Sequence, residues 1–156
     1  MSTLERLTTE LTASMKARDT FRTNTLRQAI AAVRAAEKSG TAARELGEDE
    51  VQAVLASEVK KRRDTAGIYT DAGAGDRAAT ETAEADLLES YLPAAVSEPE
   101  LDAVVADAIA ATGATTMKDM GTVMKEATVA AGRLGRVDGK VLSQRVRQAL
   151  GGAAGR

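Results

Sequence analysis

The chain contains no cysteine, no histidine and no tryptophan. Without cysteine there is no disulfide, thiolate metal site or sulfur nucleophile, a composition that suits a reducing compartment. Without histidine there is no Ser-His-Asp triad, no imidazole metal ligand and no imidazole base. Two tyrosines and one phenylalanine bring aromatics to 2% of the sequence, too few for the stacked platform on which single-strand RNA binders spread bases. A nucleic-acid contact made by this chain must therefore rest on charge and shape. No apolar run approaches the ~18 residues that a bilayer-crossing helix needs. The opening Met1-Ser2-Thr3-Leu4-Glu5-Arg6 also places charge where a signal peptide requires apolar residues. The expectation is a cytoplasmic protein with no membrane partner.

What is abundant is alanine, within a hydrophobic fraction of 44%. Its partners Leu, Val, Ile and Met favour a bundle of closely approaching helices over sheets. Leu4, Leu7, Leu11 and Met15 recur at steps of three and four, the spacing of one helix face. A break near Asp19-Thr20 precedes a second stripe of Leu26, Ile30 and Val33, filled in by Ala29, Ala32 and Ala36 and ending at Ser39-Gly40. Glu48-Asp49-Glu50 suit the first turn of a third helix, where the dipole favours acids, and Val51, Val54, Leu55 and Val59 carry it toward Tyr69. Thr70 to Asp76 reads as a turn, with the acidic stretch Glu81 to Glu89 beyond it. Ala83, Leu87, Leu88, Tyr91 and Leu92 then mark a fourth helix, which Pro93 stops.

Ser97-Glu98-Pro99-Glu100 combines an N-cap, a capping-box glutamate and a proline in the tolerated first turn. The helix it opens buries Leu101, Val104, Val105, Ala108 and Ile109 and should end at Gly113. Thr115 or Thr116 caps the next, whose face is Met117, Met120, Val123, Met124 and Ala127. Glycines and arginines between Gly132 and Val137 interrupt the pattern. Asp138 then caps a last helix using Val141, Leu142, Val146 and Leu150, with a frayed tail from Gly151 to Arg156. The reading is all-α: a four-helix, bundle-like N-terminal domain over 1–92 and a small three-helix C-terminal domain over 97–150, joined through Pro93 to Val96. So small a three-helix core is marginal by itself.

The net charge of -2 conceals an asymmetry. Met1 to Leu92 holds thirteen basic and sixteen acidic residues, whereas Gly113 to Arg156 holds eight basic and three acidic. Lys118, Lys125, Arg133, Arg136, Lys140, Arg145 and Arg147 are candidates to bind the phosphates of a structured RNA, with Gly132, Gly135 and Gly139 allowing close approach. The same residues also read as solvated faces of short helices, whose C-termini attract cations in any case. In Lys60-Lys61-Arg62-Arg63-Asp64, successive helical positions point in different directions, so the run makes a patch only if neighbouring helices contribute. Glu48-Asp49-Glu50 and the pair Asp86 and Glu89 could be drawn as a metal or acid-base site, yet helix-dipole compensation and solubility account for them. Gly73-Ala74-Gly75 lacks the lysine of a P-loop and reads as a turn. No catalytic residue, metal ligand or cofactor is expected. Met117, Met120 and Met124 fit either a core or an adaptable surface for a protein partner.

Three motifs in order carry a resemblance: Tyr91-Leu92-Pro93, Lys118-Asp119-Met120-Gly121-Thr122-Val123-Met124, and Gly135-Arg136-Val137-Asp138-Gly139-Lys140. Together with Leu26-Arg27-Gln28 and Lys61-Arg62-Arg63-Asp64 before Tyr69, they resemble the YqeY family over nearly the whole chain. That family is related to the tail domain of the B subunit of glutamine-dependent aminoacyl-tRNA amidotransferases (GatB/YqeY). The resemblance implies a helical bundle followed by a three-helix domain. It also implies tRNA and amidotransferase subunits as partners, with no DNA expected. Lys118, Lys125, Arg136 and Lys140 would contact tRNA, and Met120, Gly121, Val123 and Met124 would serve packing. Amidation itself resides in other domains and a partner subunit of that enzyme, so a carbon-nitrogen ligase label with glutamine as amide donor can be inherited by association. The expected function is a non-catalytic tRNA-binding or amidotransferase-accessory module. The alternatives are a component of glutamine-dependent tRNA amidation and a protein-interaction adaptor.

Overall fold

The computed structural model describes residues 1–154, with side chains through Gly151. Among them are seven α-helices: α1 (Thr3–Lys16), α2 (Thr20–Glu37), α3 (Glu48–Asp71), α4 (Gly75–Glu89), α5 (Glu98–Thr112), α6 (Met120–Leu134) and α7 (Gly139–Ala154). A 3-10 turn, Met117–Asp119, leads into α6. The fold is all-helical, with no strand among the described residues and a lone parallel bridge between Ala95 and Arg136. The chain forms two compact units, Met1–Leu92 and a second beginning at Pro93.

Polar residues at the caps set where the helices begin. Ser2 and Ser97 each accept the N–H of a glutamate three residues on, and that glutamate reaches back to the cap's own N–H. The Asp19 carboxylate accepts the Arg22 N–H, and Asp138 that of Lys140. Gly113, at φ 66°, ends α5 in the left-handed conformation that glycine adopts without a side-chain penalty.

In the N-terminal unit Leu7, Leu26, Ala29, Leu55, Val59, Ala85 and Leu88 form the buried core, closed by Tyr91 and Leu92 just beyond α4. In the second unit α5, α6 and α7 pack on one another through Leu101, Val104, Val105, Ala108, Val123, Ala127, Ala131, Leu142, Val146 and Leu150, with Val96 at the edge. Alanines at facing positions let the backbones approach closely, so short helices still exclude water.

Four local readings change. The turn between α3 and α4 is confined to Ala72–Ala74, and α4 starts at Gly75 rather than near Glu81. Gly73 at φ 74° completes the reversal, after which Asp76 complements the dipole and Ala78 is buried. Helix α6 continues through Gly132 and Arg133, because buried Ala127 and Ala131 extend its apolar stripe by one turn. Met15 and Val141 are exposed, since Leu7 alone is fully buried on α1 and Leu142, Val146 and Leu150 suffice on α7. Helix α7 runs to Ala154 past the position where fraying was expected; Gly155 and Arg156 lie outside the described residues.

Candidate functional site

Of the seven cations singled out in the C-terminal region, Arg145 is committed to a helix contact. Its guanidinium donates to Asp102 at 2.5 Å and lies 3.3 Å from Glu98, both on α5, and these carboxylates hold its pKa above the usual arginine value. Arg136 is half-buried: its N–H donates to the Ala94 carbonyl at 3.1 Å and its own carbonyl accepts from Val96 at 2.9 Å. The other five are exposed, namely Lys118 in the 3-10 turn, Lys125 and Arg133 on α6, and Lys140 and Arg147 on α7. None of these five forms an ion pair among the described residues. Lys140 and Arg147 stand seven residues apart, about two turns, and so share a face of α7. The 3-10 turn carrying Lys118 packs against both α6 and α7.

Two of the three acids of this region are turned toward backbone amides, and the third, Glu126, is exposed on α6. Asp119 accepts from the Thr115 and Thr116 N–H groups at 3.0 and 3.2 Å, which lowers its pKa, and Asp138 accepts from Lys140 at 2.8 Å. The glycines also have other duties than those expected of them. A Cβ on Gly135 would lie 2.6 Å from the Ala94 carbonyl oxygen, so this glycine admits a neighbouring strand of protein backbone. Gly132 and Gly139 face open space.

The densest basic run is neutralised locally. Lys60 pairs with Asp64 at 3.0 Å and Lys61 with Glu58 at 3.1 Å. Arg62 is buried and bonds Glu58, Glu84 and Gln28 at 2.9, 3.1 and 2.7 Å. Arg63 pairs with Asp86 at 2.8 Å and also with Glu89, which accounts for that acidic pair. Glu48 caps the Thr3 N–H at 3.1 Å. Arg44 and the Gly47 N–H hold the Glu50 carboxyl down to about 2. Among the described residues no group of three or more acids is placed to hold a metal, and no helix is long and apolar enough to cross a membrane. Of the three methionines between Met117 and Met124, Met117 is exposed while Met120 and Met124 pack against the core.

Sequence reasoning missed the network around Tyr91. Its hydroxyl donates to Glu10 at 2.5 Å and accepts from Arg22 at 3.1 Å, Arg22 also donates to Glu10, and the Arg6 guanidinium lies 5.2 Å from the ring centroid. The signal was divided among residues on two helices and a turn, none of them notable alone. Burial, aided by the bond to Glu10, pushes the Tyr91 hydroxyl from its ordinary 10.0 up to about 12. A raised pKa means that the folded form holds this proton more tightly than the unfolded chain. The resulting stability is therefore fully present below pH 10 and is lost as pH rises toward 12. Urea melts across that interval should show this alkaline loss in the wild type and a smaller one in Tyr91→Phe.

No curated protein matches the sequence. The sequence model of the Yqey-like protein family matches residues 4–150, which takes in both compact units and all three motifs noted above. The chain belongs to the Yqey-like protein family.

Proposed function

We propose that the protein is a non-catalytic tRNA-binding module that serves glutamine-dependent tRNA amidation as an accessory. The observation that supports this reading is the contrast in ion pairing. Seven of the thirteen cations of the N-terminal unit, including the whole Lys60 to Arg63 run, are matched by acids, whereas five of the seven singled out in the C-terminal region, Lys118, Lys125, Arg133, Lys140 and Arg147, are exposed and unmatched among the described residues. Cations without a local partner release counterions from phosphates at little cost of broken contacts, which is the main source of affinity for a folded nucleic acid. Scarcity of aromatics suits recognition of duplex shape and backbone. The kinship of the family with an amidotransferase tail supports tRNA as the RNA.

The test is tRNA binding by wild type and by a Lys118→Ala, Lys140→Ala, Arg147→Ala triple variant across a salt series. Each lost phosphate contact should reduce the slope of log K against log salt by about 0.7–0.9, so the variant should lose about 2–3 units of slope. Weak, salt-insensitive binding by the wild type would overturn the reading, as would equal affinity for tRNA and an unstructured polyanion of the same charge.

A further inference from the structure

Helix α5 is apolar almost all the way round. From Ala103 to Ala111 its one charged residue is Asp107. Leu101, Val104, Val105 and Ala108 belong to the core, whereas Ala103, Ala106, Ala110 and Ala111 are exposed. A helix with this pattern is ordinarily covered on more than one side, yet its neighbours α6 and α7 leave the alanines bare. Side chains this small also let another helix approach closely.

Between α5 and α7 runs a groove of about 710 Å3. Buried Val105 and half-buried Ile109 and Ala149 make its floor, exposed Ala106 and Gln148 its sides, and Asp102 and Arg145 stand at one end. The surrounding charge is negative. Helix α5 carries Glu98, Glu100, Asp102 and Asp107 and no lysine or arginine. Glu98 and Asp102, with side chains 83% and 62% exposed, share the single cation Arg145. Toward the other end, the last turn of α5, which holds Ile109, has no basic residue to offset its dipole. Asp102 and Ile109 are seven positions, or about 10 Å, apart, the length of two turns of a docked helix.

We propose that the α5–α7 groove docks a basic amphipathic helix of a partner protein, with apolar anchors on Val105, Ala106, Ile109 and Ala149 and a lysine or arginine near each end. The docked helix adds a fourth side to a three-helix core that is marginal by itself. The groove is separate from the cationic face assigned to tRNA. Lys140 and Arg147 lie about 140–160° round α7 from Arg145, so the unit has room for both.

The probe is a fluorescein-labelled peptide of leucine and lysine, about 18 residues or five helical turns long with one apolar face, read by anisotropy against the full chain. It should bind about tenfold more tightly than the same peptide with glutamate in place of lysine, and than a scrambled peptide of equal charge. Ala106→Arg fills the groove with a like charge and should weaken binding about tenfold; Gln148→Lys, on the α7 side, should act in the same direction. Asp107→Asn, about 140° round α5 from Asp102, should leave binding unchanged. The Ile109 and Ala149 methyl resonances should shift on titration, and tRNA affinity should not fall in Ala106→Arg.

Equal binding of the lysine and glutamate peptides would overturn the proposal, as would wild-type affinity in both groove variants with the methyl resonances unmoved. Dimerisation of the wild type that Ala106→Arg abolishes would also overturn it, because the occupant would then be a second copy. If the wild type binds the lysine peptide in the groove but binds no tRNA, the docking surface is upheld and the tRNA reading alone fails.

Discussion

Arg62→Met should destabilise the N-terminal unit by about 3 kcal/mol, the scale of removing one partner from a buried ion pair. Methionine keeps most of the length and apolar stem, so packing is largely preserved. What is lost is the guanidinium that Glu58, Glu84 and Gln28 surround at 2.7–3.1 Å, together with its bond to the Glu58 carbonyl. Two half-buried carboxylates are then left to face each other's field without a shared cation. Burial alone would raise the Glu58 pKa, but hydrogen bonds from Arg62 and Lys61 bring it below its ordinary 4.5. A depressed folded pKa means that the stability Glu58 contributes is present above 4.5 and lost as pH falls through the lower folded value. The gap between wild type and variant should accordingly be widest near neutral pH and should close on acidification, as read by urea denaturation followed by circular dichroism. Adding Glu58→Gln and Glu84→Gln should restore much of the loss at neutral pH, because no uncompensated charge then remains. A gap that is the same at neutral and acid pH would mean that packing, and not charge, holds Arg62 in place.

The second large effect falls in the other unit. Gly135→Ala would place a methyl group 2.6 Å from the Ala94 carbonyl oxygen, closer than any real contact, and the obstacle is backbone rather than a mobile side chain. To relieve it, the 94–96 segment must withdraw, which weakens the bonds from Arg136 to Ala94 and from Val96 to Arg136, and with them the seat of buried Val96. A loss of about 2 kcal/mol is expected, within the range for overpacking. The internal control is Gly132→Ala, where nothing lies within 4 Å inside a helix. That change should stabilise by about 0.5–1 kcal/mol. Thermal melts that rank Gly132→Ala above wild type and Gly135→Ala below it would confirm that the two glycines, three residues apart, serve different purposes.

Local signals carried most of the helix pattern. Ser97 and Glu100, Gly113 and Asp138 are legible because a cap depends on a few neighbouring residues, and the structure places each at the helix end expected of it. The start of α4 was less legible, since Gly75 and the polar residues after it resemble a loop until Ala78 is seen to be buried. Gly132 misled in the same direction: a glycine on an exposed helix face costs little when Ala131 beside it is anchored. Charge was the least legible property. The i,i+4 pair of Lys60 with Asp64 can be foreseen from spacing, but Arg63 meets Asp86 across 23 residues and Arg145 meets Asp102 across 43. A cation count therefore overstates the unpaired charge that the Lys60 to Arg63 run and Arg145 present.

The Tyr91 network has a consequence for synthesis. Pairs such as α1 with α2 and α3 with α4 join neighbours in sequence and can form as soon as each hairpin has left the ribosome. The bond from Tyr91 to Glu10 joins residues 81 apart. Its hydroxyl is delivered only when nearly all of Met1–Leu92 has been made. A nascent chain halted a few residues short of Tyr91 would hold Leu7 and Leu26 without their lid, and would be cut by protease. The same chain extended far enough beyond Pro93 for Tyr91 to clear the ribosome should resist, so that the N-terminal unit locks at a defined point during translation.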